Sequence, residues 1–192
     1  IYRIMCELDL KLTLPLETHS QDGANGKKKW VTVRETFQGL PSLKAGERYS
    51  DDKIKNHACA NLSEKNLRRI KIIRANGGSR LALPPELVLN CHKTYSGHND
   101  VYGIMDPDKP APTITGGCLR YSKGRFGHPF EDRAISVREA ARLQTFPDDY
   151  IFGENLTKAA LEIGNAVPIK LVEASGRIFY DIITSLANAN VD

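Results

Sequence analysis

Apolar and polar positions alternate at the start of the chain. Ile4, Cys6, Leu8 and Leu10 are set against Met5, Glu7, Asp9 and Lys11, the period-two pattern of a half-buried strand. A polar loop, T-H-S-Q-D-G-A-N-G-K-K-K, follows. Thr32-Val33-Arg34-Glu35 then has the form of a capping box, predicting a short helix that ends at Gly39-Leu40-Pro41. Over residues 41–130 the periodicity breaks and glycines and prolines punctuate the chain. One helix is predicted there, from Ser63 through Leu67, Ile70 and Ile73, ending before Asn76-Gly77-Gly78. Pro84-Pro85 marks a turn, and residues 101–104 and 112–115 read as short strands.

Regularity returns at Ser136. Ser136-Val137-Arg138-Glu139 is a second capping box, and Ala140, Leu143 and Phe146 continue a helix that Pro147 stops. Its mix of charged and small apolar residues predicts a helix buried on one side. A helix is predicted over residues 157–163, and a longer amphipathic one over 168–187. The stripe of the last is Leu171, Val172, Ser175, Ile178, Phe179, Ile182 and Ile183, with Gly176 open to a close helix contact.

A length of 192 residues suits one domain or slightly more. No apolar run is long enough to span a membrane, and the first ten residues lack a signal-peptide layout. The chain does not begin with Met, which suggests a fragment or processed piece. Cys6, Cys59, Cys91 and Cys118 are scattered without a C-x-x-C pair, which argues against zinc and for a reducing, cytoplasmic setting. No metal site is predicted.

The net charge of +4 is mild, but it is unevenly placed. Lys53, Lys55, Lys65, Arg68, Arg69, Lys71, Arg74 and Arg80 face only Glu64 between them. Arg120, Lys123 and Arg125 form a second group among glycines, with Tyr121 and Phe126 interleaved. Such groups suit a polyanion, or a solvated surface.

The order of motifs adds a resemblance. G-R-F-G-H-P-F-E-D-R-A-I-S-V-R-E-A-A-R-L-Q-T-F-P-D-D-Y followed by I-G-N-A-V-P resembles the C-terminal motif pair of DNA (cytosine-5)-methyltransferases. Upstream, W-V-T-V-R-E-T-F-Q-G-L-P, L-S-E-K-N-L-R-R-I, L-P-P-E-L and D-V-Y-G-I-M-D-P-D-K-P-A-P-T-I-T-G-G-C are similar to a bacterial-type branch, in the family's order. The resemblance implies an α/β S-adenosylmethionine-dependent methyltransferase fold, of which this chain alone is an α+β fragment with a small irregular recognition domain and C-terminal helices. Residues 1–40 would end the catalytic domain, 41–130 would form the target recognition domain, and 131–192 would carry the C-terminal motifs and a helix returning to the catalytic domain.

The same resemblance distributes roles. Gly164, Asn165, Ala166 and Val167 would contact S-adenosylmethionine, Gly164 by allowing close approach and Asn165 through its amide. Ile169 stands where the family often has a second proline, which should alter helix entry slightly. Thr113 and Ile114 would support the DNA backbone beside an extruded cytosine. Gly116, Gly117, Arg120, Lys123 and Arg125 would lie on a recognition loop, and Arg80 is placed with them as a DNA contact. Arg133 and Arg138 read instead as ion-pair partners, and His128 as a packed turn residue.

The P-C-Q segment that carries the family's nucleophilic thiolate is absent, as are E-N-V and F-x-G-x-G. No catalytic residue is therefore assigned. The reading is the C-terminal portion, or a split subunit, of a prokaryotic methyltransferase from a restriction–modification system. Double-stranded DNA and an N-terminal half are its expected partners, and no membrane is. The alternative is a non-catalytic, sequence-specific DNA-binding module.

Overall fold

The structure is a computed structural model that describes residues 15–94 and 97–189. The strand expected in the first eleven residues lies outside them. The chain divides into two units, residues 1–30 with 167–192 and residues 31–166.

In the first unit, a two-residue parallel pair joins β1 (His19–Ser20) to β2 (Lys28–Lys29). Its long helix, α6 (Ile169–Ala189), starts after Pro168, where a missing N–H leaves no helical bond unmade. The predicted apolar stripe is present, with Ser175, Ile178, Phe179 and Ile182 half-buried and the rest exposed. Leu171, Val172 and Ile183 are 52, 54 and 65% exposed, and a side chain at Gly176 would meet nothing within 4 Å.

The second unit begins with α1 (Val33–Phe37), whose Thr32–Glu35 capping box forms as the sequence predicts. An antiparallel pair, β3 (Arg48–Tyr49) with β4 (His57–Ala58), follows. Helix α2 (Glu64–Ala75) buries Ile70 and Ile73 and ends where Gly78, at φ +77°, donates its N–H to Ile73 O. A four-residue turn of helix, α3 (Asn90–Lys93), has no periodic signal in the sequence.

Residues 101–104 and 112–115 are not strands. Tyr102 takes a left-handed φ of 61°, which breaks an extended run, and only isolated bridges join Ile104 to Gly127 and Gly127 to Ala134. Two apolar clusters result. Ile70, Ile73, Tyr102, Ile104 and Tyr121 are among the members of one; Val33, Ile114, Phe126, Ile135 and Ile163 are among those of the other.

The hub is α4 (Val137–Leu143), with its Ser136–Glu139 capping box intact. It is not buried on one side only: Val137, Arg138, Glu139, Ala140 and Ala141 are all buried. Its polar side chains each hold a different segment. Arg138 donates to the carbonyls of Lys55, Pro147 and Tyr150, so it is a loop staple rather than an ion-pair partner. Arg142 donates to Thr36 O and Gln38 O and pairs with Asp148. Glu139 receives two 2.7 Å bonds from Arg133, which is fully buried. Burial alone would raise the Glu139 carboxyl, but Arg133 outweighs it and holds the group below the usual carboxylate range.

His128 closes this network. It stacks on Phe37, and its Nδ1 accepts from Phe130 N and Glu131 N, which requires a neutral ring. Burial pushes its pKa from 6.5 down to about 4. Between those values the unfolded chain binds the extra proton, so stability falls as pH falls through that window. Denaturant melts are expected to show a loss of about 2 kcal/mol at pH 5 relative to pH 7.5. Equal midpoints at the two pH values would refute the assignment.

Candidate functional site

Of the residues singled out near the C-terminus, Gly164 and Asn165 sit on α5 (Leu156–Asn165), Ala166 follows it as the cap, and Val167 is exposed and falls in the first unit. Asn155 caps the first turn of α5, accepting from Thr157 N and Lys158 N, while Ala159, Ala160 and Ile163 are buried. Gly164 and Asn165 form the last turn, and Ala166 leaves the helix with ψ 146°. The Gln144 amide, at the C-terminal end of α4, donates to Ile163 O at 3.0 Å and Ala166 O at 3.1 Å. The main chain is therefore tied on both sides of Asn165. The Asn165 side chain is exposed, and no hydrogen bond among the described residues engages its amide.

The close approach that Gly164 permits is made by the chain itself. A Cβ at this position would fall well inside the van der Waals radii of Gly116 N and of Thr115 C and O. Two further contacts continue the path. A Cβ at Gly116 would lie 2.8 Å from Leu161 Cδ2, and Arg120 Nη2 donates to Thr157 Oγ1 at 3.3 Å. Thr157, Leu161 and Gly164 are spaced i, i+4 and i+7, one stripe of α5. Residues 115–120 thus lie along the helix that ends in Asn165.

This brings most of the expected DNA contacts to one element. Thr113 is exposed, and Ile114 is anchored in the core at 8% exposure. Successive turns, Cys118 N to Thr115 O and Arg120 N to Gly117 O, carry the chain over Gly116 and Gly117. Lys123 is exposed, with its stem against Gly117. Arg125 instead pairs with Asp100 at 2.9 Å. Arg80 needs correction as a surface DNA contact. It is 6% exposed and donates to Gly97 O, His98 O and Asn99, so it supports the 97–99 loop.

The first basic group is also thinner than the sequence suggests. Arg69 is buried and donates to Leu87 O, Arg74 and Lys71 both face Asp132, and Lys55 lies 3.8 Å from Asp52. Lys53, Lys65 and Arg68 remain exposed. Cys59 and Cys118 offer little nucleophilic character, because burial raises the first and pushes the second up to about 11, while Cys91 is exposed. Cys6 lies outside the described residues. Among the described residues no group of His, Cys, Asp or Glu could hold a metal, and no helix is long and apolar enough to cross a membrane.

Residues 9–180 match the family described as C-5 cytosine-specific DNA methylase. The chain belongs to that family. It is 45% identical over 150 residues to a type II methylase, M.HgiDII, of Herpetosiphon aurantiacus, covering 75% of this chain and 42% of that protein. It is 36% identical over 171 residues to DNA (cytosine-5)-methyltransferase 3 of Arabidopsis thaliana, covering 77% of this chain and 12% of the relative. Type II methyltransferase M1.HphI of Haemophilus parahaemolyticus is 31% identical over 164 residues, with coverages of 85% and 38%. The chain therefore spans less than half the length of each of these relatives.

Sequence reasoning missed Gln144, Thr157 and Leu161. The spacing of Thr157, Leu161 and Gly164 is a readable signal of a helix face. The reach of Gln144 across the fold has no local signature.

Proposed function

We propose that this chain is the C-terminal portion of a DNA (cytosine-5)-methyltransferase of a restriction–modification system, acting with an N-terminal part that supplies the nucleophile. It presents a DNA-contacting segment, Thr113 to Gly117 with Arg120 and Lys123, and a cofactor-facing turn that carries Asn165. The observation that carries this reading is the laying of residues 115–120 along α5, whose last turn holds Asn165 exposed and anchored. Arg120 and Lys123 suit phosphate or guanine, and the glycines let backbone amides approach closely.

The turn fits the amino-acid end of S-adenosylmethionine. An exposed amide offers both a donor and an acceptor to a zwitterion. When bound, this cofactor supplies the methyl group. The residues of this chain would hold and orient it, with Asn165 bonding its polar end and Gly164 keeping the turn close to the DNA-contacting segment. Attack on C6 of the cytosine would belong to the N-terminal part, since no P-C-Q segment occurs in this chain, Cys59 and Cys118 are buried, and the exposed Cys91 lies between Asn90 and His92.

Asn165→Ala is expected to weaken S-adenosylmethionine binding about tenfold in the assembled enzyme, the cost of one hydrogen bond to a charged group. The methylated DNA sequence should not change. Calorimetric titration gives the first result and sequencing of methylated sites the second. Unchanged affinity would remove Asn165 from the site.

A further inference from the structure

Two carbonyls flank Asn165, and one buried side chain holds both. Ile163 O, among the last carbonyls of α5, accepts from Ala166 N at 3.3 Å and keeps a second lone pair for a side chain, and Ala166 O follows the helix end. Gln144 is 7% exposed, and its amide nitrogen reaches both carbonyls at hydrogen-bonding distance. Only the amide nitrogen can serve two carbonyl oxygens, so the orientation of the side chain follows from its chemistry. The backbone of Gln144 is fixed in turn at the end of α4, where its N–H bonds Ala140 O and Ala141 O. At the same turn, the main chain of Thr115 and Gly116 packs tightly against Gly164.

We infer that Gln144 is a positioning residue for the cofactor-facing turn: its two donors fix the 163–166 main chain and thereby aim the Asn165 amide. This rests on the reading of Asn165 as a cofactor contact. It gives a chemical reason for glutamine at this point. A donor fork is needed, and neither an apolar side chain nor a carboxylate of the same length supplies one. Simple helix capping would use the same bonds, but it would affect stability alone.

The test separates the two. In the complete methyltransferase, S-adenosylmethionine affinity is measured by calorimetric titration well below the unfolding transition. The variants are Gln144→Met, Gln144→Glu, Asn165→Ala and Asn155→Ala. The last removes the cap at the other end of α5, a comparable loss of helix stability far from the turn. Gln144→Met and Gln144→Glu are expected to weaken cofactor binding about tenfold, as loss of its bonds to one buried and one part-buried carbonyl implies. Asn155→Ala should stay within about twofold of the parent, as expected of a cap that holds no part of the turn. Amide exchange is expected to rise over residues 163–167 in both Gln144 variants, with DNA affinity in the absence of cofactor unchanged.

Parent-like cofactor affinity in Gln144→Met, with Asn165→Ala still impaired, overturns the role of Gln144 and leaves Asn165 in place. Equal weakening by Asn155→Ala also overturns it, because any loosening of α5 would then suffice. If Asn165→Ala itself binds normally, the reading of the turn fails, and the positioning role fails with it.

Discussion

Glu139→Ala is expected to destabilise the fold by about 3–5 kcal/mol, because it breaks a buried ion pair and leaves one charge inside. Arg133 is fully buried and holds both Glu139 oxygens, and its remaining partners are Glu131 and the carbonyls of Leu43 and Ala134. Glu139 also accepts from Ser136 N, so the substitution opens the capping box of α4 at the same time. Since domains are stable by only about 5–15 kcal/mol, this loss should remove much of the cooperative transition. Glu131→Ala is the contrast. Its side chain is 22% exposed, and the same Arg133 keeps its pairing with Glu139, so the loss should be far smaller. Denaturant melts followed by circular dichroism compare the two. Similar midpoints for Glu139→Ala and the parent would mean that the pair does not hold the hub together.

Gly164→Ala is expected to cost about 1–3 kcal/mol, the usual range for forcing atoms into a packed contact. The added methyl would meet main-chain atoms of Thr115 and Gly116, which cannot rotate away. Either the end of α5 or the 113–117 segment must move. Gly116→Ala differs in kind: its methyl meets the flexible tip of Leu161, which can shift, so its cost should be lower. The first variant should therefore lose DNA binding along with stability, while the second keeps both closer to the parent. A Gly164→Ala protein with parent stability and parent DNA affinity would show that the contact is not a joint between the two segments.

Local chemistry was legible in the sequence, and long-range chemistry was not. Both capping boxes, Thr32–Glu35 and Ser136–Glu139, form as expected because each needs only four consecutive residues. The helix from Ser63 to Ala75 also follows from its spacing and its Asn-Gly-Gly end. The expected strands at 101–104 and 112–115 fail, since Tyr102 adopts a left-handed turn and Ile114 is buried by a loop rather than a sheet. Helix α4 reads as half-buried because Arg138 and Glu139 are charged. Only the fold reveals the carbonyls and the arginine that receive them inside.

The candidate site follows the same division. Glycine at 164 signals that something approaches, but the sequence cannot say that Thr115 and Gly116 do. The basic run from Lys53 to Arg80 suggests a polyanion surface, yet Arg69 and Arg80 are buried and Arg74 is paired. Charge counted along a chain cannot distinguish a guanidinium that braces a loop from one that meets phosphate. Arg120 and Lys123 keep the second role open because both stay exposed beside the glycines at 116 and 117.

As proposed, this chain completes a cytosine-5 methyltransferase without supplying its nucleophile. The most direct test is transfer of labelled methyl groups from S-adenosylmethionine to unmethylated DNA, by this chain alone and by this chain with the proposed N-terminal part. The account predicts label on cytosine C5 in the mixture and none with the chain alone. Transfer by the chain alone, or a mixture that binds DNA and transfers nothing, would contradict it.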